Sequence, residues 1–248
     1  NDWYRREGCD TLGRQPQLAM DQRQVAYAPP YRRPPKIWGI GLNYREHAAD
    51  LSEQSPSSAP ASFMKPWTAV IGPGDAIRIP RLSHRTTAEA ELGVVIGKRC
   101  KEVPRESWLD VVAGFTTILD MTAEDILQQN PRYLTMSKSF DTFCPLGPCI
   151  ATEIDPENAG IRLSLNGQTM QDANTSDLLF STSYLVSYLS DCMTLYPGSV
   201  ILTGTPGGVG IGRTPDGLRV AVALDGRIWI AGVDTSVLTP TGTVPSRP

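Results

Sequence analysis

Ala88-Glu89-Ala90-Glu91-Leu92-Gly93-Val94-Val95-Ile96-Gly97 decides the reading of this chain. Glu89 to Gly97 reads as a strand with an apolar centre, Leu92-Gly93-Val94-Val95-Ile96. Residues i and i+2 of a strand point to one face, so Glu89 and Glu91 project side by side. Two carboxylates held together repel unless solvent or a cation relieves them. Oxygen ligands suit a hard divalent cation: magnesium, manganese or calcium. Two solvated glutamates on an edge strand satisfy the same pattern, and taken alone the pair reads that way.

A third carboxylate shifts the balance. Val111 to Leu119 is a second apolar, β-branched segment, expected to end at Asp120 just before a helix over 122–129. Thr122 is the expected N-cap of that helix, with Asp125 in its first turn and Pro131 as its stop. Glu89, Glu91 and Asp120 together match a magnesium site that leaves positions open for a substrate. His47 and Asp50 share a face of a short helix expected over 44–51. A carboxylate bonded to an imidazole fixes its tautomer and raises its basicity, as a general base requires, although an incidental pair on a surface helix has the same spacing. Lys138, in Ser137-Lys138-Ser139-Phe140-Asp141, can neutralise an oxyanion, and it reads equally as a surface lysine paired with Asp141. The glycine-rich run from Gly204 to Gly212 can turn backbone N–H groups toward an anion. No Gly-Lys-Ser or Gly-Lys-Thr follows it, so it is not a P-loop. Gly39-Ile40-Gly41 is too little for a dinucleotide fingerprint, and His84 lies in a polar loop that reads as surface.

The remaining pattern is strand and turn with few helices. Residues 36–43 form a buried strand that breaks at Asn43. Gly72-Pro73-Gly74-Asp75 is a turn, and Asn166-Gly167 and Asp225-Gly226 are two-residue hairpin turns. Ser176 to Met193 has helical spacing, with Leu178, Leu179, Leu185, Val186, Leu189 and Met193 on one face. Ser199 to Thr203 is a short strand. Residues 52–60, small and polar, read as a mobile loop of the kind that covers a site. The expected fold class is α+β, β-rich, with the polar, proline-rich residues 1–35 as an N-terminal arm or connector and residues 36–240 as one principal domain. A chain of 248 residues is long enough for this.

Composition narrows the function. With 40% hydrophobic and 20% charged residues, the chain is ordinary globular protein. A net charge of -3 without a Lys/Arg stripe argues against nucleic acid as a partner. No apolar run approaches the roughly 18–20 residues of a membrane helix, so no membrane partner is expected. Five cysteines, none in CxxC spacing, with only two histidines, speak against zinc and against a disulfide framework. Reduced thiols in a cytoplasmic protein without a signal-like start are expected.

Six segments, taken in order, resemble the fumarylacetoacetate hydrolase family. They are Gly41-Leu42-Asn43-Tyr44-Arg45-Glu46-His47, Phe63-Met64-Lys65-Pro66, Glu89 to Gly97, Lys138-Ser139-Phe140-Asp141, Cys144-Pro145-Leu146-Gly147-Pro148 and Leu202-Thr203-Gly204-Thr205-Pro206. They look closest to the branch of acylpyruvate hydrolases, oxaloacetate decarboxylases and 2-hydroxyhepta-2,4-diene-1,7-dioate isomerases. The resemblance implies a mixed β-roll with a few peripheral helices and a homodimer. It implies Mg²⁺ or Mn²⁺ on Glu89, Glu91 and Asp120, and a small 2-oxo or β-diketo acid as substrate. His47, assisted by Asp50, would activate water from a lid helix. Lys138 would face the substrate oxygens, and Thr205, beside Gly204, would hold the substrate carboxylate. Three positions depart from the family, the first being Asp50, where the dyad partner of the histidine is usually a glutamate. Glu124 stands where an arginine is common, and Leu127 where a substrate-contacting glutamine is common, with Gln128 or Asn130 able to replace it by a small shift. Hydrolysis, decarboxylation and isomerisation all remain open, as does a catalytically silent relative that only binds metal.

Overall fold

The computed structural model describes residues 27–45, 56, 58–208, 210–212, 219–224 and 227–233. Its strands are β1 (Ile37–Gly41), β2 (Ala61–Met64), β3 (Val70–Ile71), β4 (Ala76–Ile77), β5 (Arg85–Ile96), β6 (Val112–Ala123), β7 (Cys144–Pro145), β8 (Gly160–Leu165), β9 (Gln168–Asn174), β10 (Val200–Leu202), β11 (Gly210–Gly212), β12 (Arg219–Leu224) and β13 (Arg227–Val233). Helices α1 (Glu124–Gln129), α2 (Leu134–Ser137) and α3 (Thr182–Cys192) lie between them. The β-rich α+β class follows directly.

β5 and β6 are the spine. They pair antiparallel from Thr86↔Ala123 to Val95↔Gly114, with a bulge beyond Val95. On its other edge β5 takes two short partners, β11 at Arg85–Thr87 and β10 at Gly93–Val95. β1 adds parallel to β10, and β2 closes the sheet antiparallel to β1. A second sheet runs β4-β13-β12-β8-β9, and β3 pairs parallel with β7. The even-numbered side chains Ala88, Ala90, Leu92, Val94 and Ile96 are all buried, so one face of β5 is core from end to end. The odd-numbered face holds Arg85, Thr87, Glu89 and Glu91, and only Arg85 of these is exposed. An edge strand with solvated glutamates is therefore ruled out.

Several sequence expectations change in detail. β6 does not stop at Asp120 but runs to Ala123, because the ladder with β5 continues to Thr86. Thr122 is thus a strand residue, not a helix cap, and α1 begins at Glu124 without a side-chain cap. The Asp125 carboxylate turns back to accept from Ser83 Oγ and the His84 N–H, each at 2.7 Å. The helix expected from Ser176 begins only at Thr182. Upstream, the Leu179 and Phe180 N–H groups are taken by the backbone and side-chain oxygens of Asn43, at 2.9 Å and 2.8 Å, so they cannot join a helix. The β8–β9 hairpin forms as expected, with Asn166 and Gly167 at φ 51° and 84°, the left-handed pair that a type I′ turn needs. Residues 27–36 carry no helix or strand, yet Tyr31 enters the core. The expected arm before residue 27, most of the 44–51 helix, most of the 52–60 loop and the 225–226 turn lie outside the described residues.

Candidate active site

Register brings the three carboxylates together. Glu89 sits directly opposite Asp120 across the β5–β6 ladder, and Glu91 follows two residues along the same face. One oxygen from each of Glu89, Glu91 and Asp120 lies within 4.8 Å of the others. Asp120 is fully buried, Glu91 is 1% exposed and Glu89 8%. Thr87 and Thr122, themselves opposite one another, both donate to Glu89 Oε1, at 3.0 Å and 2.7 Å. The residue expected as a helix cap thus orients a candidate ligand.

Two buried lysines meet this cluster from other elements. Lys65, just after β2, puts Nζ 2.5 Å from Asp120 Oδ1 and donates also to Met121 O at 3.1 Å. Lys138, at the end of α2, bonds Glu89 Oε2 at 2.8 Å and Asp120 Oδ2, with its ammonium 4.6 Å from the centre of the Phe63 ring. Lys138 is therefore no surface lysine, and Asp141 is not its partner. Among the described residues, three carboxylates against two ammonium groups leave one negative charge in a dry site. That imbalance falls on Glu91, whose carboxyl is pushed well above its usual range, first by burial and then by Asp120, against the opposing pull of Lys138 and the Gly204 N–H. Burial works to lower Lys138, but Asp120, Glu89 and Glu91 together outweigh it and hold the ammonium more firmly protonated than a free lysine. A divalent cation fits this donor set: hard oxygen ligands, closely spaced, short of positive charge.

The opposite edge of β5 is completed by a loop. Between its two strand partners, Ala90 has no strand neighbour on that side among the described residues. Gln171 of β9 supplies one: its Oε1 accepts the Ala90 N–H at 2.9 Å, while its Nε2 donates to Thr205 Oγ1 at 3.0 Å and to Pro206 O at 2.7 Å. Thr205 Oγ1 in turn donates to Ala90 O at 3.0 Å. The hydroxyl's single proton is committed there, so toward a ligand it offers a lone pair. Gly204 donates its N–H to Glu91 Oε2 at 2.7 Å. Its φ of +103° and the 2.6 Å that would separate an added Cβ from Asn43 Cβ explain why only glycine serves. Asn43 is itself pinned, donating to Thr203 O at 2.7 Å and Phe180 O at 3.0 Å.

The structure thus gathers Glu89, Glu91, Asp120, Lys138 and Gly204 into one cluster, with Thr205 held beside it through Ala90. His47 and Asp50 lie outside the described residues. Gln128 is exposed and donates to Glu124 Oε1 at 2.9 Å. Glu124 is paired with Arg85, Nε to Oε2 at 2.6 Å. His84 is exposed, as its loop suggested. Cys144 is a buried thiol pushed up to about 12, chiefly by burial, and so is no nucleophile. Sequence reasoning assigned no role to Lys65 or Gln171. Lys65 had a faint signal, a lysine wedged between an apolar strand and Pro66. Gln171 had none, being one polar residue in a polar hairpin strand.

Comparison with known proteins points to one family. Residues 36–239 match the family described as Fumarylacetoacetate (FAA) hydrolase C-terminal. The chain is 40% identical over 186 residues to the mitochondrial oxaloacetate tautomerase Fahd2a of Rattus norvegicus, covering 74% of this chain and 59% of that protein. Among solved structures, the 5-carboxymethyl-2-hydroxymuconate delta-isomerase of Mycobacterium smegmatis superposes with a TM-score of 0.78 at 36% identity, covering 88% of this chain and 85% of that one. The maleylpyruvate hydrolase of Sphingobium sp. SYK-6, solved with manganese(II) and pyruvate, does so with a TM-score of 0.72 at 34% identity, covering 86% and 75%. Hydrolases, isomerases and tautomerases thus occur among the proteins this chain resembles. The match over 36–239, together with the acidic triad on a β-rich frame, makes the chain a member of the fumarylacetoacetate hydrolase family.

Proposed function

We propose that this protein is a Mg²⁺- or Mn²⁺-dependent hydrolase or lyase that cleaves a C–C bond in a small 2-oxo or β-diketo acid. The observation that carries the reading is the buried triad of Glu89, Glu91 and Asp120, short of one positive charge beside two lysines. Those three residues would hold the ion, and a bound Mg²⁺ or Mn²⁺ would supply Lewis-acid polarisation of two adjacent substrate oxygens. With the ion present, the cluster carries one net positive charge, which suits an anionic oxo acid. Lys138 would stabilise negative charge that develops on a substrate oxygen. His47, assisted by Asp50, takes a proton from water, whose oxygen bonds to the distal carbonyl carbon. The C–C bond then breaks, its electron pair stays with the oxo-acid fragment, and a proton completes that fragment. Lys65 holds Asp120, and Gln171 holds the Thr205 loop; neither touches the reacting atoms. The protein acts as a cytoplasmic homodimer.

A second reading keeps the site and drops the water. Decarboxylation or isomerisation needs only charge stabilisation and proton transfer, and the rat and mycobacterial relatives bear names of that kind. A silent, metal-binding relative is the third reading, motivated by Glu124 and Leu127. The deciding experiment is turnover of acetylpyruvate, oxaloacetate and a fumarylacetoacetate-like diketone, with and without Mg²⁺, by wild type and Glu89→Ala. Metal-dependent turnover lost in the variant supports the proposal and picks the reaction. Turnover that ignores both metal and mutation sinks it.

A further inference from the structure

One buried polar group near the triad has no role in the chemistry above. Tyr44 follows Asn43, and Asn43 lies against the strap that serves Glu91. The Asn43 Nδ2 donates to Thr203 O at 2.7 Å, its Cβ leaves no room for one on Gly204, and Gly204 gives its N–H to Glu91 Oε2 at 2.7 Å. From there the Tyr44 side chain enters the interior, with only 3% of the residue exposed. Its hydroxyl has no hydrogen-bond partner among the described residues. Burial, then the charges of Glu91 and Asp177, push the phenol far above its usual range, so it stays protonated and lies within the field of a triad carboxylate.

The other donors at the cluster are already engaged. Thr87 and Thr122 donate to Glu89, Lys65 and Lys138 to the carboxylates, Gly204 to Glu91 and Thr205 to Ala90 O. A buried hydroxyl left without an acceptor destabilises a fold, and such groups in native proteins call for a reason. A cation gives the protonated phenol nothing to donate to, whereas an anionic oxygen does. We infer that Tyr44 is a ligand-binding residue of this site, whose hydroxyl donates to an oxygen of the oxo acid held at the triad. The inference rests on the metal-site reading above, which puts that oxygen beside Glu91. The donor is neutral, so it leaves the charge of the cluster unchanged, and its hydrogen bond strengthens as negative charge gathers on the accepted oxygen. Tyr44 therefore governs how tightly the anion is held and not whether the cation is.

The test uses the full chain and two probes, Mg²⁺ alone and oxalate with Mg²⁺. Oxalate is a planar dianion with oxygens on two neighbouring carbons, like the enolate of a 2-oxo acid. Tyr44→Phe keeps the ring and removes only the hydroxyl. Calorimetry should show oxalate affinity lower by about ten- to hundredfold, the range for a hydrogen bond to a charged acceptor, with Mg²⁺ affinity unchanged. The ligand-free melting midpoint should not fall, because a hydroxyl without a partner takes no hydrogen bond with it. Equal oxalate affinity in the two proteins overturns the inference. So does a Tyr44→Phe protein that fails to fold, or whose midpoint, Mg²⁺ affinity and oxalate affinity all drop together, since the hydroxyl would then have a structural partner. Oxalate binding that ignores Mg²⁺ and survives Glu89→Ala, yet weakens in Tyr44→Phe, supports the role of Tyr44 and overturns the metal-site reading. If wild type takes oxalate neither with Mg²⁺ nor without it, both fall.

Discussion

Replacing Lys65 by methionine removes one of two positive charges from a dry cluster while nearly conserving volume. The Lys65 and Asp120 side chains are both fully buried and their charged atoms lie 2.5 Å apart, so water cannot take over the pairing. Breaking a buried pair by removing one partner costs about 3–5 kcal/mol. At roughly 2–4 °C per kcal/mol for a domain of this size, the melting midpoint should fall by about 6–20 °C. The charge count then makes a second, sharper demand. The wild-type cluster lacks one positive charge and the variant lacks two, so Mg²⁺ should raise the midpoint of Lys65→Met more than that of wild type. Proton uptake by Glu91 offers the same relief, so the metal-free penalty should shrink toward acid pH. Thermal unfolding followed by circular dichroism at pH 5 and pH 8, with and without millimolar Mg²⁺, reads all three effects. A midpoint within 2 °C of wild type at pH 8, or a Mg²⁺ increment no larger than that of wild type, refutes the charge-balance argument.

Metal binding should be linked to a proton on Glu91. Because the folded carboxyl sits well above its usual range, its stabilising effect in the metal-free protein is present below the unfolded value and declines as pH rises through the folded one. A cation needs the carboxylate, so Mg²⁺ affinity should fall by up to about tenfold per pH unit below the Glu91 pKa, with one proton released per ion; calorimetry in buffers of differing ionisation heat checks this. Gln171→Leu strips the Ala90 N–H and Pro206 O of their partner and should cost about 1–3 kcal/mol. It should raise KM while leaving Mg²⁺ affinity unchanged, and a loss of metal binding would contradict its role. Gly204→Ala forces a side chain into a +103° φ and against Asn43, so its midpoint should drop and its Mg²⁺ affinity weaken as the N–H swings from Glu91; an unchanged crystal structure with unchanged affinity would count against that account.

The acidic pair, the apolar strand behind it and the hairpin at Asn166-Gly167 were legible in the sequence because each is a local pattern. Period-2 alternation put Glu89 and Glu91 on one face, and a left-handed turn needs Asn-Gly whatever surrounds it. Boundaries were less legible where distant backbone groups compete for donors. β6 outran Asp120 because β5 had matching residues to pair with, and the helix before Thr182 was lost to Asn43, more than 130 positions away.

By itself, then, the sequence determined which residues can ligate a cation, that Glu89 and Glu91 share one face of a strand, and the family through its ordered motifs. Tertiary structure alone decided that Asp120 stands opposite Glu89, and that Lys65 and Lys138 converge there. It alone also decided that Gln171 completes the open edge of β5, and that Arg85 pairs with Glu124. The physical reason is range. Strand geometry is fixed within a few residues, but charge compensation in a dry interior is settled between groups far apart in sequence, and nothing in the order of residues records which lysine will find which carboxylate.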